Sequence, residues 1–181
     1  MSKVFEYLSE VGEAVGKGLI AGAAGSLAMS LSQMIEMKIT NRSGSSTPAI
    51  VAGKVLGVEP KGQSKLNAEK ENAEIDGKND PELEHQVQEN TSRFSQFMHY
   101  AYGSSQGVPR GILDLSGFHG WQAAVSHFAI VWGAEQIMLP ATGASKPITQ
   151  WTPAMIASDL IHHTVYIAVT SIIFDQMNNN N

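Results

Sequence analysis

A run of 22 residues, Pro153 to Phe174, holds only three side chains that can carry charge near neutral pH: Asp159, His162 and His163. As a helix rising about 1.5 Å per residue it reaches about 33 Å, enough to cross the roughly 30 Å hydrocarbon core of a bilayer. Proline opens the run, where its missing N–H costs nothing. Asp159 lies three and four residues before His162 and His163, so a carboxylate and an imidazole share one helix face. In a membrane such groups must face protein or water. This stretch therefore points to an all-α membrane architecture with a polar interior.

The mean hydropathy of -0.10 would suit an ordinary soluble protein, but it averages two populations. Residues 54 to 93 carry most of the charged and amide side chains, whereas Gly18 to Ile35 has no charge at all. The 181 residues suffice for one domain. Cysteine is absent, which excludes disulfides, thiolate metal sites, iron–sulfur clusters and a cysteine nucleophile. A formal net charge of -5 with scattered Lys and Arg argues against a nucleic-acid surface. Glu6, Glu10 and Glu13 precede the first apolar stretch, where a secretory signal would carry positive charge, so that stretch is read as retained.

Four spans follow. Residues 1–16 form an amphipathic lead-in, with Val4, Phe5, Leu8, Val11 and Val15 near one face. Residues 17–36 are the first transmembrane helix. Its small residues, Gly18, Gly22 and Gly25 among them, fall at the four-residue spacing that lets a neighbour approach closely. Residues 37–93 form a polar loop holding one short helix near Pro48 to Val58, a solvated stretch from Glu59 to Asp80, and the start of the next helix near Leu83. Residues 94–115 are the second span, interrupted by Pro109 and Arg110, with Gly103, Gly107 and Gly111 on one face. Each Gly costs up to about 1 kcal/mol relative to Ala in a helix, so the ladder makes sense as a packing groove against the glycines of the first span.

Residues 118–139 are the third span, closed by Pro140, and Trp151 sits where an interfacial aromatic belongs. Residues 153–174 are the fourth, and the asparagine-rich tail 175–181 has no reason to fold. Both termini then share one side. Lys38, Arg42, Arg93 and Lys146 lie opposite Lys3, Lys17 and Arg110, too even a split to assign sides.

The order of features resembles the YagU-like group of bacterial inner-membrane proteins. A small-residue first helix precedes Thr47-Pro48, and His99-Tyr100-x-Tyr102-Gly103 leads into the glycine ladder. A Trp-containing helix ends at Leu139-Pro140-Ala-Thr-Gly143, and the closing helix carries His163-x-x-Tyr166. The resemblance implies a small polytopic protein of the bacterial inner membrane without an assigned activity, and it carries over no catalytic residue. The chain departs from that pattern in its charged insertion, residues 59 to 90, and in Ile167 where a glycine would follow the tyrosine.

Chemistry, if any, rests on His99, His119, His127, Glu135, Asp159, His162 and His163, with Glu36 at the edge. His119 and His127, eight residues apart, share a face but are too distant to bind one ion together. Hydrogen bonds between helices are the main expectation for these groups. A proton or solute path through Glu135, Asp159 and His162, with His99 beside it, is the first alternative. A haem or metal held by His99, His127, His162 or His163 is the second, although no cofactor is predicted. No phosphate loop, nucleophile elbow or zinc-protease helix is present. The expected protein is not an enzyme. It is an accessory or structural membrane subunit whose partners are the bilayer and a larger membrane complex or a second copy. A soluble helical bundle holding a metal is the competing architecture.

Overall fold

The structure is a computed structural model describing residues 3–42, 46–76 and 80–179, and among them every regular element is helical. The helices are α1 (Lys3–Thr40), α2 (Thr47–Leu56), α3 (Gln63–Asp76), α4 (Pro81–Ser105), α5 (Val108–Leu115), α6 (Gly120–Ala141) and α7 (Pro153–Asn179), with a 3-10 turn at Ile148–Gln150. Residues 43–45, within the turn cluster before Pro48, lie outside the described residues.

Several boundaries differ from expectation. The lead-in from Lys3 onward and the span 17–36 are one unbroken helix, α1, because no proline or turn separates the amphipathic register from the apolar one. Its 38 residues extend about 57 Å, well beyond a bilayer core.

The stretch 37–93 is largely helix. Gly57, at φ 66, closes α2 in the left-handed conformation, where glycine has no Cβ penalty. The charged α3 occupies most of the expected solvated stretch and packs Leu66 against Leu83 and Val87 of α4. Asp80 caps α4 by accepting from the amides of Glu82 and Leu83, with Pro81 next to it.

The span 94–115 is divided between α4 and α5. Pro109 has no N–H to give to the carbonyl of Ser105, so the ladder breaks at Gln106 and Gly107 while the chain keeps a near-helical path. At the other end, α7 runs through the supposed tail to Asn179, and residues 180–181 lie outside the described residues.

Among the described residues two helices, α1 and α7, are long and apolar enough by length and composition to cross a membrane; α4, α5 and α6, which cover the other two expected spans, do not meet that criterion. The first half of α4 is polar and charged.

Four helical tracks, α1, α4 with α5, α6 and α7, run antiparallel in chain order. Ser26 meets Gly103, Gly18 meets Gly107, and Ala14 meets Gly111, which sets α1 against α4 and α5 in opposite directions. Ser32 bonds His162 and Lys17 bonds Asn178, which ties α1 to α7 at two levels.

Candidate functional site

The glycines determine how close the backbones come. A Cβ on Gly107 would lie 2.0 Å from the Gly18 carbonyl oxygen, and one on Gly22 would lie 2.5 Å from the Ser104 carbonyl oxygen. A Cβ on Gly111 would lie 2.3 Å from the Ala14 carbonyl oxygen. These obstacles are backbone and cannot swing aside. Gly103 instead admits the Ser26 hydroxyl, and Gly25 makes room for Thr170 and Tyr166 of α7. All six glycines singled out in the sequence thus line contacts of α1 with α4, α5 and α7.

This packing encloses polar groups beside a small apolar cluster of Val131, Tyr166 and Ile167. The largest fully buried side chains are Arg110, Phe174, His127, Thr170 and Ser26. Meanwhile Ile20, Leu27, Leu31, Val125, Ile161 and Ile172 are all more than half exposed. A helix bundle surrounded by water has the opposite distribution.

Two clusters of ionisable groups lie at opposite ends of α7. In the first, His163 is enclosed between α6 and α7. Its Nε2 lies 2.8 Å from Glu135 Oε2, and its Nδ1 lies 2.9 Å from the Asp159 carbonyl oxygen and 3.6 Å from the Asp159 carboxylate. The Trp132 indole N–H donates to the other Asp159 oxygen at 2.8 Å. Both ring nitrogens of His163 face acceptors. With Glu135 ionised the ring donates at both nitrogens. With Glu135 protonated the carboxyl donates to Nε2 and the ring donates only through Nδ1. One proton therefore has two bonded positions across 2.8 Å.

The second cluster centres on Arg110, whose side chain is 0% exposed. Its guanidinium pairs with Asp175, lies 3.6 Å from Asp114, and stands 4.5 Å from the centre of the Phe174 ring. Asn178 donates to Asp114 at 2.8 Å and accepts from Lys17 at 2.8 Å; Lys17 also pairs with Glu13 at 2.6 Å. Sequence reasoning missed this cluster. It placed Asp175 and Asn178 in a tail and treated Arg110 as a flaw in a span. The signal was a charged residue inside a glycine-rich apolar run, which needs a buried counter-ion.

The remaining candidates are dispersed. His162 lies between Ser32 at 2.8 Å and Ser158 at 3.2 Å, on a different face from the His163–Glu135 pair. His127 Nε2 donates to the Gln106 carbonyl at 2.7 Å, satisfying an oxygen freed where α4 ends, and its ring lies 6.1 Å from Tyr166. Tyr166 donates to the Gly103 carbonyl at 2.6 Å. His99 is half-buried against Tyr100. His119 precedes α6 in an extended conformation and reaches Asp114 at 3.0 Å, so it does not share a helix face with the buried His127 as its spacing suggested. Glu36 forms a pair with Arg42 at 2.8 Å beyond the apolar part of α1. Among the described residues no group of three or more His, Asp or Glu side chains is arranged to hold a metal ion, and His99, His127, His162 and His163 do not converge on one centre. No protein-family model, curated protein or solved structure matches this chain.

Proposed function

We propose that this is a small integral membrane protein that acts without chemistry of its own, as a structural or accessory component of a membrane, with its four helical tracks in the bilayer. One observation carries this reading: Ile20, Leu27 and Leu31 of α1, Val125 and Ile130 of α6 and Ile161 and Ile172 of α7 face outward, while Arg110, His127 and His163 are buried inside. Lipid makes that arrangement favourable, because polar groups must be satisfied within the protein and apolar groups lose nothing by facing outward. A resemblance to the YagU-like group of the bacterial inner membrane agrees with the same reading. The glycine faces are occupied within the chain, so association with other subunits would use different surfaces. Alkaline carbonate washing of membranes from expressing cells tests the proposal. Release by mild detergent alone is the expected result, and a carbonate-soluble protein would overturn it.

A second reading, a proton relay, is favoured by His163 held between Glu135 and Asp159. Reconstitution into vesicles loaded with a pH-sensitive dye decides between the two. A relay requires proton flux that Glu135→Gln abolishes. A structural protein conducts nothing with either residue.

A further inference from the structure

The two ionisable clusters and the distribution of basic residues together place the bilayer and assign its sides. On α1, Lys17 and Glu36 are nineteen residues apart, as are Asp159 and Asn178 on α7. Each interval is about 28 Å along a helix, close to the roughly 30 Å of a hydrocarbon core. The intervals are in register, because Lys17 bonds Asn178 at one end and Ser32 bonds His162 toward the other. One charged layer therefore contains Lys17, Arg110, Asp114 and Asp175, and the other contains Glu36, Arg42 and Asp159. The exposed Ile20, Leu27 and Leu31 of α1 and Ile161 and Ile172 of α7 lie between them. Trp121, exposed at the start of α6, marks the first layer. Trp151, whose indole donates to the Lys146 carbonyl, marks the second. Aromatic side chains at both boundaries are what membrane interfaces select.

The sides follow from the basic residues. The chain has 12 Lys and Arg. Lys3 and Lys17 lie at or beyond the first layer. Arg110, counted on that side by sequence alone, is fully buried and paired with Asp175 and Asp114, so it presents no charge to a headgroup. All the others, from Lys38 to Arg93 together with Lys146, lie in the segments 37–93 and 142–152 that adjoin the second layer. Acidic residues contribute little to this bias, so the nine Asp and Glu of residues 37–93, against eight Lys and Arg, do not cancel it.

We infer that the bilayer lies between these two layers, with the lobe built from α2, α3 and the first half of α4 on the cytoplasmic side and both chain termini on the opposite side. The partner of the lobe-side boundary is then the anionic cytoplasmic leaflet, which attracts Lys38, Arg42, Arg93 and Lys146. This inference rests on the membrane reading proposed above.

The absence of cysteine makes the test direct, since one introduced thiol reports alone. Three variants of the full chain, Ser9→Cys, Leu27→Cys and Ser64→Cys, are treated with a membrane-impermeant maleimide in spheroplasts and in inverted vesicles. All three positions are exposed. The expected result is labelling of Ser9→Cys only in spheroplasts, of Ser64→Cys only in inverted vesicles, and of Leu27→Cys in neither until detergent is added. Reversal of the first two patterns, or equal labelling of both from either side, overturns the assignment of sides while leaving the membrane reading intact. Labelling of Leu27→Cys without detergent, in protein that carbonate releases, overturns both.

Discussion

The lobe and the bundle of this protein solve the same problem in opposite ways. In the lobe, Leu66, Leu83 and Val87 are buried together, and charged side chains face outward in pairs such as Lys65–Glu69 and Arg93–Glu89. In the bundle, Arg110, His127 and His163 are buried, and Leu27, Leu31, Ile161 and Ile172 face outward. The lobe gains stability by removing apolar area from water. In the membrane reading proposed above, the bundle has little apolar burial to gain and relies on close backbone approach and on pairs such as Arg110–Asp175 and His163–Glu135. Buried ionisable groups, rather than helix content, distinguish the bundle from the lobe.

The most severe way to break this contrast is to force the backbones apart. Gly107→Leu would drive a side chain into the Gly18 carbonyl, which cannot move without separating α1 from α5. The expected loss exceeds about 3 kcal/mol, beyond ordinary overpacking because the obstacle is backbone. It would be read as disappearance of the monodisperse peak in detergent size-exclusion chromatography.

Arg110→Ala comes next. It strands Asp175, while Asp114 keeps Asn178 and His119, and the expected cost is about 3 to 5 kcal/mol, toward the lower figure because the Asp175 side chain is 39% exposed. The midpoint of thermal unfolding in detergent reports it, and the double variant with Asp175→Asn should recover part of the loss. A neutral single variant would mean that the buried cation contributes nothing.

Leu83→Ala probes the lobe alone. A truncation in a small apolar cluster is expected to cost about 2 kcal/mol, seen by hydrogen exchange as lost protection in α3 and the start of α4 with the bundle unchanged. Spread of the effect into α7 would show that the regions unfold together. Tyr166→Phe removes one buried hydrogen bond to Gly103, an expected loss of about 1 kcal/mol in the bundle. Glu69→Gln should be the mildest, within about 0.5 kcal/mol, because its pair with Lys65 is largely exposed and screened by solvent.

Much of the architecture was legible in the chain because periodicity and small-residue spacing are local properties. The spacing of Gly18, Gly22, Gly103, Gly107 and Gly111 pointed to two mutually packed faces, and those faces do meet. The ends of elements were less legible. The asparagines after Asp175 look like a tail, yet Asn178 bridges Lys17 and Asp114, residues 161 and 64 positions away. The charged stretch after Glu59 looks unstructured until Leu66 finds Leu83 and Val87. In both cases the partner that makes the helix worthwhile is distant in sequence, so no local window contains the reason.

The candidate site divides in the same manner. That Asp159, His162 and His163 lie within one helix turn of each other followed from the sequence alone, because helical spacing is arithmetic. That His163 faces Glu135 while His162 faces Ser32 required α6 and α1 to be set in place around α7. The chain by itself thus determined helices, their apolar faces and the presence of ionisable groups among them, since these depend on neighbours three or four residues away. Tertiary structure decided which charges are paired, above all that Arg110 is buried against Asp175, because pairing depends on where antiparallel helices stop sliding past one another. Here that register is set where glycine backbones touch.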